Sequence, residues 1–148
     1  MRAAGFTLIE LLLVIAILGV GFALATPMVI RYVDGGRVLE AKAQIAQIAR
    51  ELKERERSTG SLPATLAEVN LERLDPWGNP YRYLNVRTAT PGQVRKDKSA
   101  APINSDFDLY SVGKDGATHL QLNQPLARDD IVRARDGAFI GLAEEFDP

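Results

Sequence analysis

The sequence predicts an α+β fold: one long N-terminal helix, with a transmembrane half and an amphipathic half, packed on a small antiparallel β-sheet. Three observations carry the prediction. Residues 6–30 hold a single charged side chain, Glu10. Past them Val38, Ala41, Ile45, Ile48 and Leu52 recur at spacings of three and four, the stripe of a helix with one face to bury. From Asp75 onward, short segments set aromatic and polar residues in alternation beside glycine and proline turns, as strands do.

The apolar run comes first. Its 25 residues exceed the roughly 20 helical residues that cross a bilayer core, so residues 6–30 can span a membrane. A secretory signal has a shorter apolar core with its cleavage site after it. Here the only polar leader, Met1-Arg2-Ala3-Ala4-Gly5, precedes the run, and a cut after Gly5 keeps the helix. Arg2 favours a cytoplasmic N-terminus. Glu10 needs a reason to be where it is, because a carboxylate inside a membrane helix costs about 2.5–3.5 kcal/mol. Cleavage creates a partner for it, the new amine of Phe6. The alternative is a single-pass anchor whose glutamate reaches water at the cytoplasmic face.

The amphipathic half, with Arg50, Lys53, Glu54 and Arg57 opposite the apolar stripe, carries the helix to residue 57. Gly19 and Gly21 lower helix stability and Pro27 deletes a backbone hydrogen bond. That stretch either bends or unwinds, or is tolerated as glycine and proline are in membrane helices; Gly35-Gly36 is a second soft point. The turn formers Ser58-Thr59-Gly60-Ser61-Leu62-Pro63 end the helix. Thr65, with Glu68 three residues on, predicts a short second helix. Without anchor and leader, residues 31–148 suffice for one modest domain with one core, its globular α+β part being residues 58–148.

Gly5-Phe6-Thr7-Leu8-Ile9-Glu10-Leu11-Leu12-Leu13-Val14 resembles the prepilin N-terminal motif of type IV pilins and type II secretion pseudopilins. The resemblance implies a type IV pilin-like fold and a leader, residues 1–5, that a membrane prepilin peptidase removes by cutting between Gly5 and Phe6. It also implies N-methylation of Phe6, and a filament in which Glu10 neutralises the Phe6 amine of a neighbouring copy.

Asp75-Pro76-Trp77-Gly78-Asn79-Pro80-Tyr81-Arg82-Tyr83-Leu84 packs two prolines and a glycine around the single tryptophan. The indole is expected to pack on the helix stripe with its N–H satisfied, a ligand-binding role being the alternative. This decapeptide resembles the segment that begins the sheet in the major, G-type pseudopilins of type II secretion. Asp106-Phe107-Asp108-Leu109-Tyr110-Ser111-Val112-Gly113-Lys114-Asp115-Gly116 resembles their second sheet segment, with Val112 in a leucine place. Phe107, Leu109 and Tyr110 are expected in a strand, and Gly113 and Asp115-Gly116 in a turn.

In those subunits the loop that follows binds one calcium ion. The resemblance therefore implies Asp115, Asp129 and Asp130 as side-chain ligands and Val112 as a carbonyl ligand. Calcium suits such donors, because it takes six to eight oxygens in flexible geometry. The alternative is a set of exposed turn acids with Arg128 as their salt-bridge partner. No EF-hand spacing is present, and residues 117–127 differ from the family's glycine-rich loop.

Other features are bland. His119 is the only histidine and reads as a loop side chain. No nucleophile elbow or phosphate loop occurs, and the absence of cysteine removes disulfides and thiolate metal sites. Losing Arg2 takes the basic side chains from 18 to 17 against 19 acidic ones, so the net charge moves from −1 to −2; nothing there suits nucleic acid. Arg95-Lys96-Asp97-Lys98 reads as a solvated loop or a docking patch. Arg133, Arg135 and Asp136 read as candidates for intersubunit ion pairs, and residues 138–148 as an apolar, acidic tail that docks on the domain.

No enzyme activity is expected. The resemblance implies a structural subunit of a type II secretion pseudopilus, anchored by a single pass in the bacterial inner membrane, with its C-terminal domain in the periplasm. It would polymerise with copies of itself and with minor pseudopilins, served by the prepilin peptidase and an inner-membrane assembly platform, to drive export across the outer membrane. One alternative is a type IV pilin or minor pilin for adhesion, motility or DNA uptake, which usually has a longer sheet and often a C-terminal disulfide. Another is an anchored calcium-dependent binding module or hydrolase that does not polymerise.

Overall fold

In the computed structural model, which describes Gly5 and residues 7–146, helix α1 runs from Leu8 to Thr59. The chain divides into two compact units, Met1–Gly36 and Arg37–Pro148, so the division falls inside α1. The first unit is membrane-length apolar helix, with side chains from Leu8 to Val33 exposed. By length and composition alone α1 can cross a membrane. The helix continues through Gly19, Gly21, Pro27 and Gly35-Gly36; the unwinding considered there is not present. Pro27 removes a single N–H, and beside it the Thr26 hydroxyl donates to the Phe22 carbonyl at 2.7 Å.

In the second unit the distal part of α1 buries Ala41, Ile45, Ile48, Ala49 and Leu52, the stripe expected from the periodicity. After α1 the segment around Thr65 makes one 3-10 turn, Ala67–Val69, rather than an α-helix. Its capping pair forms all the same: the Thr65 hydroxyl accepts the Glu68 N–H at 3.4 Å and the Glu68 carboxylate accepts the Ala64 N–H at 2.9 Å. Asn70, at φ 54°, stops it.

Four antiparallel strands follow, β1 (Arg82–Asn85), β2 (Phe107–Ser111), β3 (Ile131–Ala134) and β4 (Phe139–Leu142), each beside its neighbour in chain order. Tyr83 faces Leu109, Tyr110 faces Val132 and Arg133 faces Ile140 across the pairs. Strands β3 and β4 lie where the sequence reads as loop and tail. Between them Arg135, Asp136 and Gly137 all have positive φ, and the tight turn is held by Asp136, whose carboxylate accepts the Ser105 N–H and hydroxyl, both at 2.7 Å.

The two-residue period of a strand sends its side chains to opposite faces, and both faces are covered. Phe107, Leu109 and Ile131 pack with the α1 stripe, with Trp77 and Tyr83 at the margin. Val132, Ala134 and Tyr110 pack on the other face with Ile103, Leu122 and Ala143. This second layer comes from the segment around 94–104 and the loop around 117–127. It is stitched by Lys96, whose N–H donates to the Leu120 carbonyl at 2.8 Å and whose carbonyl accepts the Leu122 N–H at 3.0 Å.

Candidate functional site

The N-terminal motif occupies the start of α1. Of the proposed cleavage pair, Gly5 is exposed, while Phe6, with the methylation assigned to it, lies outside the described residues, as does Arg2. Thr7 precedes the first helical residue, and Glu10 lies three positions on. The Glu10 carboxylate accepts the Thr7 N–H and the Thr7 hydroxyl, both at 2.8 Å, while the Thr7 hydroxyl oxygen accepts the Glu10 N–H at 3.3 Å. This reciprocal arrangement is a capping box. It gives Glu10 a local role that the sequence reading missed, although the Thr-x-x-Glu spacing was there to find. The acid caps its own helix and is exposed, open to a cationic partner.

The acid loop is built where the two sheet markers meet. Asp75 closes its own turn by accepting the Trp77 and Asn79 N–H groups at 3.0 and 2.8 Å. Its other oxygen accepts the Ser111 hydroxyl at 2.5 Å, and Asn79 donates to the Gly113 carbonyl at 3.0 Å. The Asp75–Pro80 turn is thereby clamped to the end of β2. Trp77 packs at the core margin as expected, but its indole N–H is buried without a partner rather than satisfied.

Of the four residues assigned to calcium, Val112 is buried, Asp115 is exposed and Asp129 is half-buried. One Asp129 oxygen accepts the N–H groups of Lys114 and Asp115 at 2.9 and 3.2 Å, and an Asp115 oxygen accepts the Ala117 N–H at 2.8 Å. Asp130 is fully buried. It meets Arg95, whose Nη2 donates to Asp130 Oδ2 at 2.5 Å, and the Thr118 hydroxyl donates to the same oxygen at 2.5 Å. Burial pushes the Asp130 carboxyl up to about 6 against the pull of Arg95. Asp130 Oδ1 and Arg95 Nε are buried without a partner. Among the described residues, no three acids or histidines gather into a group able to hold a metal ion. The carboxylates are engaged by amides and a guanidinium, and as arranged they do not fit a calcium cage.

Two expectations about basic residues are corrected. The 95–98 stretch is not a solvated loop: Arg95 and Asp97 are buried, and Asp97 holds the turn by accepting the Ser99 and Ala101 N–H groups at 2.7 and 2.9 Å. Arg133 is buried in its own subunit rather than free for a neighbour. It grips Asp106 with both terminal nitrogens at 2.8 Å and lies 4.0 Å over the Phe107 ring. Lys53 of α1 reaches the same carboxylate at 2.8 Å. Burial alone would raise the Asp106 pKa, but Arg133 and Lys53 outweigh it and hold the carboxyl well below its usual range. His119 is a loop residue, with Nδ1 accepting the Gln121 N–H at 3.1 Å.

A capped, membrane-length apolar helix that continues into the core of a small antiparallel sheet defines a prepilin-like α+β protein. Residues 1–26 match the family described as the prokaryotic N-terminal methylation motif. The chain is 34% identical to the type II secretion system core protein G of Pseudomonas aeruginosa, across 78% of this chain and 86% of that protein. It is 30% identical to the core protein G of Xanthomonas campestris pv. campestris, across 76% and 80% respectively, and 29% identical to that of Aeromonas hydrophila, across 78% and 85%. The chain belongs to the type II secretion system core protein G family. No solved structure matches it.

Proposed function

We propose that this chain is a structural, non-catalytic subunit of a type II secretion pseudopilus. It is cut between Gly5 and Phe6, methylated on Phe6, held in the bacterial inner membrane by α1 with its second unit in the periplasm, and polymerised through α1. Its partners are further copies of itself, minor pseudopilins, the prepilin peptidase and the inner-membrane assembly platform. The observation that carries the reading is the exposed apolar length of α1, in which Glu10 is the only charged side chain before Arg31. Such a surface needs lipid or other apolar helices around it. In the membrane it is solvated by lipid; in a filament, by neighbouring copies of α1, where the Phe6 amine of one copy can meet the Glu10 carboxylate of the next.

The test is co-expression with a prepilin peptidase, reading the N-terminal mass and imaging filaments. The wild-type chain is expected to lose residues 1–5, gain a methyl group and enter filaments. Glu10→Ala is expected to be cut and to stay in the membrane fraction without polymerising. A wild-type chain that is never cut, or Glu10→Ala filaments of normal abundance, would overturn the reading.

A further inference from the structure

We propose that Arg95 takes the place of a bound cation in the 112–130 loop, so that this subunit closes the loop with its own guanidinium and needs no calcium to fold. The inference rests on the loop's own geometry, whatever the filament role of the chain. Asp130 carries a buried negative charge at the entrance to β3 and must be answered by a positive one. Arg95, 2% exposed, answers it. Its Nη2 bonds Asp130 at 2.5 Å, its Nη1 donates to the Thr118 hydroxyl at 2.8 Å, and that hydroxyl donates to Asp130. The three side chains form a closed triangle.

Stacking and backbone contacts fix Arg95 further, although its Nε is buried without a partner. The guanidinium carbon lies 4.0 Å over the Tyr110 ring of β2, a favourable stacking for a cation. The Arg95 N–H donates to the buried Asp108 carboxylate at 2.8 Å, and the Arg95 carbonyl accepts the Ile103 N–H at 3.1 Å. Arg95 therefore ties together the 94–103 segment, β2, the 118–122 segment and the start of β3. A multidentate metal ion performs the same task, gathering oxygens from separate segments onto one charge.

The other acids are answered separately. Asp129 is held by the Lys114 and Asp115 amides, and Asp115 by Ala117. For calcium to take Asp130 it would have to sit beside Arg95 or displace it, leaving a buried guanidinium without its counter-ion. Asp130 Oδ1 is a buried acceptor still open, so the experiment must ask directly whether calcium reaches it.

The full chain in detergent is melted in excess calcium chloride and in excess EGTA, and calcium is titrated calorimetrically. A ligand that binds only the folded state raises the melting midpoint with its concentration. Arg95 as the resident cation predicts the same midpoint in both solutions and no binding heat. A reproducible rise with calcium, or a fall with EGTA, overturns the proposal. Arg95→Met, which keeps much of the length and removes the charge, is expected to melt lower than the wild type, and adding Asp130→Asn to it is expected to recover part of that loss. Arg95→Met melting like the wild type would also overturn the proposal. If Arg95→Met does not fold, the wild-type titration decides alone.

Discussion

Gly113 is the residue on which the acid loop turns. Its φ is +68°, and a Cβ placed on it would meet the Asp129 backbone carbonyl and come within 2.5 Å of Asp129 Oδ2. Gly116 offers a control three residues away: its φ is +69°, but a Cβ there meets only the Asn79 side chain, Oδ1 at 3.5 Å and Nδ2 at 3.9 Å, ordinary contacts. Both positions penalise an L side chain for conformation, by about 1–2 kcal/mol. At Gly113 the overlap with backbone adds a further cost of about 1–3 kcal/mol, because the loop must shift to relieve it. Gly113→Ala is therefore expected to melt below Gly116→Ala when both full chains are heated in detergent. Equal midpoints would mean that Asp129 does not lie against this turn. The same logic separates the two glutamate roles at the other end of the chain: the Thr7 contacts of Glu10 are local, so the capping box can form in a subunit that never meets another.

At the scale of elements, α1 changes its surroundings along its length while keeping one helix. Ile45 and Ile48 are fully buried, whereas Leu39, two turns or so earlier, is 69% exposed. Ile48→Ala is expected to cost about 2–5 kcal/mol by leaving a cavity in the core that it shares with Phe107 and Leu109, and Leu39→Ala about 0.5 kcal/mol or less. Trp77 packs against the same core, so its fluorescence during thermal unfolding reads both. Comparable losses at the two positions would contradict the burial described. The α1 stripe could be read in advance because a period near 3.6 repeated over several turns, and β2 because Phe107-Asp108-Leu109-Tyr110 alternates between turn residues. Strands β3 and β4 could not, since Ile131-Val132-Arg133-Ala134 and Phe139-Ile140-Gly141-Leu142 do not alternate apolar with polar side chains. Arg133 in the middle of β3 looks polar until Asp106 and the Phe107 ring are placed around it. The acids of the loop were visible as acids. Their partner was not: Arg95 lies 35 positions before Asp130, and pairing over that distance leaves no local pattern.

Within the second unit one charge network joins helix to sheet, and it gives the folded protein a specific response to acid. Asp106, at the entrance to β2, is gripped by Arg133 of β3 and Lys53 of α1. Lys53 also pairs with Glu56 at 3.0 Å, and Glu56 with Arg87 just beyond β1 at 2.5 Å. The Asp106 pKa is lowered on folding from an ordinary 3.8, so its carboxylate stabilises the folded state. That contribution is complete above the unfolded value, near pH 4, and is lost as pH falls from there through the lower folded value. Asp106→Asn removes the charge and leaves Arg133 buried without its counter-ion, a change expected to cost about 3–5 kcal/mol at neutral pH. Because the wild type surrenders the same charge in acid, the gap between the two should narrow once pH drops below about 4. Melting both full chains in detergent from about pH 7 down to about pH 2 tests this, around the ordinary carboxylate range. A gap that stays constant across that span would mean that ionisation of Asp106 does not help to hold α1 on the sheet.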